Sequence, residues 1–177
     1  MKKILLTLIT CLTASNALAS DKYGLPSYDS ATCLANNIYF ESKGQSNAGM
    51  IAVGLVTMNR VKDKRFPNTV CEVVYQGPVR ESWKTRQHTD LSEDERVYYP
   101  KKHRCQFSWY CDGKADRVYD KKVYAQTYAI ALRVLTGRYN GLVEGATHYH
   151  ATYVNPSWNK EKTYIGQIGD HIFYRWD

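Results

Sequence analysis

Long apolar runs are missing from this 177-residue chain. Its apolar opening, Ile4 to Leu12, falls well short of the roughly 20 residues that a membrane-spanning helix requires. Internal repeats, low-complexity tracts and linkers are absent too. That excludes repeat arrays and leaves one domain as the default, large enough for a real core. Closely spaced cysteine pairs are also lacking: the tightest, Cys105 and Cys111, is Cys-x5-Cys, wider than the ligand pairs of structural zinc sites. The chain carries a formal +7, yet its basic residues are scattered and do not form the stripe of a nucleic-acid binder. A modest basic excess suits an anionic envelope polymer.

Residues 1–19 have the layout of a secretory leader, with Lys2 and Lys3, then Ile4 to Leu12, then the small-residue site Ala17-Leu18-Ala19 before Ser20. Cys11 would suit a lipoprotein, but Thr10 is a poor residue before a lipidated cysteine. The expected product is therefore a secreted or periplasmic domain over residues 20–177, with no stable membrane insertion after cleavage. Four cysteines then remain, Cys33, Cys71, Cys105 and Cys111. An even count in an exported chain reads as two disulfides with three possible connectivities. We expect Cys33 with Cys71 and Cys105 with Cys111.

Apolar spacing predicts a helix over Ala31–Ser42 capped by Asp29 or Ser30, and a second over Gln45–Lys62 capped by Ser46. A short third helix is expected over Thr69–Tyr75. Gln76–Arg104 is irregular and rich in charge, which reads mostly as solvated surface, although Trp83, Tyr98 and Tyr99 within it would also suit a glycan groove. Cys105–Asp112 reads as an extended segment and turn. A helix over Tyr119–Thr136 is ended by Gly137, and Thr147–Val154 and Lys162–Trp176 read as strands with a tight turn at Gly169-Asp170.

Glu41 stands out from this pattern. It falls at i+7 from Leu34, continuing the apolar stripe of Leu34 and Ile38, and lies near the C-terminus of its helix. Burial and the helix dipole both disfavour its charge, which is the shift that general-acid chemistry near neutral pH needs. The plainer alternative is a half-buried glutamate that only caps neighbouring backbone.

The string CLANNIYFESKGQSNAGMIAVGLVTMNRV, followed by FPNTVCEVVYQ, CQFSWYCDG, GATHYHATYVNPSW and IGDHIFYRW, resembles cell-wall hydrolases of the spore-cortex-lytic (SleB) type. Ser42-Lys43 replaces the Ala-Arg of that pattern, and Gln45 replaces its second Glu. The resemblance implies a single α+β domain of lysozyme-like architecture, helical in its first half with a small antiparallel sheet. It further implies a monomeric lytic transglycosylase that acts on peptidoglycan glycan strands without a cofactor. Glu41 would then be the catalytic acid and base, with Gln106, Ser108 and Tyr149 as polar helpers, His148 as a further substrate contact, and Trp109 and Trp158 as stacking platforms.

Other chemistries remain open at this point. A two-carboxylate muramidase needs a partner for Glu41, and Glu72, Asp112, Asp116, Asp120 and Glu144 are unranked candidates. His148-x-His150 with His171 would suit a zinc amidase. Cys33 or Cys71 with His148 would suit a thiol endopeptidase, against which the paired cysteine count argues. A catalytically silent glycan-binding domain would use the same aromatics.

Overall fold

The structure, a computed structural model, describes residues 29–177; the expected leader lies outside them. Helix α1 (Ser30–Ser42) begins where Asp29 Oδ1 accepts from the Thr32 N–H at 2.8 Å. It is buried around most of its circumference, through Cys33, Leu34, Ala35, Asn37, Ile38 and Tyr39, and so forms the central post. Helix α2 (Asn47–Lys62) starts at Ser46 as the spacing predicts. At Gly54 a β-carbon would lie 3.1 Å from Ile38 Cδ1 and 3.2 Å from Val134 Cγ2. Its absence lets α2 close against both α1 and α5 (Lys121–Leu135). Helix α3 (Val70–Val74) is stapled to α1 by the Cys33–Cys71 disulfide, and the second disulfide joins Cys105 to Cys111, both as expected.

Two apolar clusters share α2. One packs Leu34, Ile38, Val53, Val73, Val74, Phe107 and Ile130 among the helices. The other packs Ala52 and Val56 against Val143, Ala146 and Phe173, joining α2 to an antiparallel sheet of β3 (His148–Ala151), β4 (Thr163–Ile168) and β5 (His171–Arg175) in the order β3-β5-β4. Helices first and a small antiparallel sheet last is the α+β architecture expected. A turn at Gly169-Asp170 joins β4 to β5, where Gly169 takes φ +57°.

Two stretches differ from expectation. Residues 76–104 are more ordered than a solvated run: β1 (Val79–Glu81) pairs with β2 (Tyr98–Pro100), and α4 (Trp83–Arg86) lies between them. The charges themselves organise it, because Arg96 pairs with Glu81 at 2.7 Å and also donates to the Leu91 carbonyl. Within Cys105–Asp112, where an extended segment and turn were expected, Ser108–Cys111 forms a 3-10 turn and no strand precedes it. Closing a disulfide between Cys105 and Cys111 while burying both Phe107 and Trp109 requires this compaction.

Candidate active site

Glu41 sits in the last turn of α1, half-buried, and the hydroxyl of Tyr149 on β3 donates to its Oε2 at 2.8 Å. Burial pushes the Glu41 carboxyl above its ordinary pKa, opposed by the Tyr149 hydrogen bond and by the charge of Arg60. Among the described residues, no second carboxylate is among the groups that shift it. Burial, then the charge of Glu41, pushes the Tyr149 phenol well above its usual value, so it stays a donor at neutral pH. The two groups thus keep fixed roles: Tyr149 engages Oε2, and Oε1 is left to carry a proton.

Arg60, near the end of α2, is 4% exposed. Its Nε donates to the Thr147 carbonyl at 2.7 Å, and its guanidinium lies 4.9 Å from the Phe107 ring centroid and 5.4 Å from that of Phe66. The neighbouring Asn59 donates to the Ala146 carbonyl at 2.9 Å. The last turn of α2 therefore grips the two residues that lead into β3, and so sets where Tyr149 emerges. Sequence reasoning missed Arg60 as a site residue, although Asn59-Arg60-Val61 lay inside the block that carries the family resemblance.

Strand alternation sorts the remaining residues. Tyr149 pairs with Phe173 across β3 and β5, and its ring lies 5.0 Å from the His171 ring. His148 and His150 point to the other side of the sheet, towards Trp158 at 5.4 and 5.6 Å, and His150 Nε2 lies 3.1 Å from the Tyr174 hydroxyl. His148, expected as a substrate contact, therefore lies on the sheet face opposite the Glu41–Tyr149 pair. Burial, then Arg60, Lys162 and Arg65, lowers its pKa to about 4, so its ring is neutral at neutral pH. The same split breaks up the His148, His150 and His171 set, and among the described residues no group of His, Cys, Asp or Glu is placed to hold a metal. Cys33 and Cys71 are joined in a disulfide and offer no thiolate nucleophile.

Three other expected contacts lie on the segment closed by the Cys105–Cys111 disulfide. Gln106 is exposed in a cleft with Gln76, Gly77, Pro78 and Arg104. Ser108 is exposed at the start of the 3-10 turn. Trp109 is buried and is not an open stacking platform: its indole N–H donates to Asn37 Oδ1 at 2.9 Å and its ring stacks on Phe40 at 4.7 Å. Its edge does reach an aromatic cleft of about 440 Å³, shared with Phe40, Tyr75, Tyr110 and Tyr124, that flanks α1 one residue before Glu41.

Of the candidate carboxylate partners, three are held by local hydrogen bonds and two line clefts. Glu72 accepts from the Thr69 hydroxyl at 2.6 Å, and Asp120 caps α5. Asp112 accepts from the Lys114 N–H, while Asp116 lines the aromatic cleft. Glu144 lines a separate cleft with Met58, Lys62 and Tyr139.

Comparison with solved structures shows that the fold is shared. The catalytic domain of the germination-specific lytic transglycosylase SleB from Bacillus anthracis shares the fold, with a TM-score of 0.56 at 22% identity over 92% of this chain and 100% of that one. The catalytic domain of the Bacillus cereus SleB protein gives 0.51 at 21% identity, over 92% and 99%. Two curated spore cortex-lytic enzymes of Bacillus cereus are 44% identical over 43 residues, a match that spans 24% of this chain and 17% of theirs. The profile of the cell wall hydrolase family matches residues 44–174, beginning just after Glu41. With well over half of its length matched in this way, the chain belongs to the cell wall hydrolase family.

Proposed function

We propose that this chain is an exported peptidoglycan glycosidase that cleaves between N-acetylmuramic acid and N-acetylglucosamine as a lytic transglycosylase. The observation that carries the reading is the carboxyl of Glu41, half-buried in the last turn of α1 with its proton favoured by burial and its Oε2 held by the Tyr149 hydroxyl. A two-carboxylate hydrolase needs its second group within about 5–9.5 Å.

Glu41 first protonates the glycosidic oxygen, and the bond from that oxygen to the anomeric carbon of the muramic residue breaks. The Tyr149 hydroxyl and the Arg60 charge both favour the carboxylate that results. Glu41 then accepts the proton of the 6-hydroxyl of the same muramic residue, whose oxygen closes onto the anomeric carbon. The first proton leaves on the new hydroxyl of the N-acetylglucosamine, Glu41 ends protonated by the 6-hydroxyl, no water is consumed, and a 1,6-anhydro end is left.

Residues 1–19 act in this reading as the leader that brings the domain to the secreted or periplasmic side, where its substrate lies. Among the described residues no helix is long and apolar enough to cross a membrane. Mass spectrometry of the muropeptides released from purified sacculi tests the proposal. Anhydro-muramic ends, about 18 Da (one water) below their hydrated counterparts, are expected. Reducing muramic ends that take up label from ¹⁸O-water would replace this reading with a muramidase. Intact glycan strands with free stem peptides would replace it with an amidase.

A further inference from the structure

Two long-range contacts tie the end of α1 to the sheet. One is the hydrogen bond between Glu41 and Tyr149. The other is made by Gln45 and is reciprocal: its Nε2 donates to Asp170 Oδ2 at 3.0 Å, and its Oε1 accepts from the Asp170 backbone N–H at 3.1 Å. On the helix side, the Gln45 N–H donates to the Ser42 carbonyl at 2.8 Å, which anchors the residue to the end of α1. On the sheet side, the Asp170 carbonyl accepts from the Thr152 N–H at 2.8 Å, just past β3. His171, the next residue, lies against the Tyr149 ring. The glycine at 169 gives Gln45 its room, since a β-carbon there would collide with Oε1.

We propose that Gln45 is a positioning residue: its paired hydrogen bonds to Asp170 hold the end of α1 against the β3–β5 pair so that Tyr149 reaches Glu41. The inference rests on the reading of Glu41 as the catalytic acid. It acts through geometry, because an exposed polar pair of this kind contributes little to global stability. The polarity of the pair is also defined. The carboxamide gives a proton to the Asp170 carboxylate and takes one from the Asp170 amide. A glutamate at position 45 would still accept from the amide but would face the carboxylate with no proton to offer. An asparagine at position 170 would restore a donor and make the exchanged pair complementary again.

The test uses Gln45→Met, Tyr149→Phe, their double variant, Gln45→Glu, and Gln45→Glu with Asp170→Asn. Each is checked for folding by circular dichroism, assayed on soluble glycan strands, and titrated at Glu41 by carboxyl ¹³C NMR. Gln45→Met is expected to lower kcat about tenfold with KM within about twofold, as misplacement of a reacting group does. It is also expected to raise the Glu41 titration, as Tyr149→Phe does, because the carboxylate loses its donor. Added to Tyr149→Phe it should cost nothing further, since Gln45 works through Tyr149. Gln45→Glu should be impaired at neutral pH, and the exchanged pair should recover at least half of the lost kcat. Full additivity of the first two substitutions, an unmoved Glu41 titration in Gln45→Met, or no recovery in the exchanged pair would each overturn the inference. Should Glu41→Gln retain activity, the proposed function fails by itself, and the NMR titrations still decide whether Gln45 positions Tyr149.

Discussion

Tyr149 and Glu41 meet at 2.8 Å across 108 residues of sequence, and theirs is the contact that joins the helical half of the domain to its sheet at the chemistry. The phenol is held protonated by burial and cannot exchange roles with the carboxyl. It fixes one oxygen of the acid and leaves the other to work. Tyr149→Phe keeps the ring against His171 and Phe173 and removes only the donor. A fall in kcat of roughly 10- to 100-fold is expected, without loss of fold, as read by sacculus clearance and circular dichroism.

Glu41→Gln should abolish lysis, because a carboxamide of the same size cannot transfer a proton. Its effect on stability should run the other way. A carboxyl whose folded pKa is raised binds its proton more tightly folded than unfolded. Stability is therefore fully present below the ordinary value of 4.5 and is lost as pH climbs through the raised one. Glutamine escapes that loss while still accepting from Tyr149. Thermal melts at pH 7 should show the variant at least as stable as the parent. A marked drop would assign Glu41 a structural role instead.

The same sign governs activity. The first step needs protonated Glu41, so kcat/KM should decline as pH rises through its raised pKa. The hydrogen bond from Tyr149 lowers that pKa, and removing it in Tyr149→Phe should move the declining limb to higher pH. A limb that stays in place would detach Glu41 from the rate.

How much of this was legible in sequence follows from which signals are local. The caps of α1 and α2 at Asp29 and Ser46, and the stripe that places Glu41, are set by neighbours within two turns, and both helices begin within two residues of expectation. The cysteine count pointed to two disulfides, and the expected pairing is the one found, although nothing local excluded the other two connectivities. What was not legible depends on contacts between distant parts of the chain. Alternation along β3 sends Tyr149 to Glu41 and His148 away from it, and only the pairing with β5 and the packing of Phe173 on α2 decide which face is which. Trp109 was a candidate stacking platform from the family resemblance, and only the long-range contacts of its indole with Asn37 and Phe40 show it buried. The 79–100 hairpin was hidden because its charges pair with each other and with backbone across the loop, a pattern that composition does not distinguish from solvated surface.

Thiol titration of the unfolded, non-reduced domain should find no free thiol, given Cys33–Cys71 and Cys105–Cys111. Replacing Cys33 and Cys71 together by serine should cost about 2–5 kcal/mol in a denaturant melt. The Cys105–Cys111 pair closes a separation of only 6 residues against 38, so its replacement should cost less. Equal costs, or two reactive thiols per chain, would contradict the pairing.

Arg60 allows its two effects on the site to be separated. Its charge favours the Glu41 carboxylate, whereas its Nε bond to Thr147 fixes the backbone entering β3. Arg60→Lys retains a cation but cannot reproduce the Nε contact or the planar group over Phe107. It should therefore leave the pH limb of activity close to the parent's while lowering kcat and destabilising the domain by about 1.5–3 kcal/mol, the worth of a hydrogen bond to a charged group. Arg60→Met removes both effects and should in addition shift the Glu41 limb to higher pH, since a neighbouring positive charge is lost. Paired pH–rate profiles and melts of the two variants provide the measurement. If methionine and lysine gave the same pH limb, the influence of Arg60 on Glu41 would be purely geometric, and the acid's poise would rest on burial and Tyr149 alone.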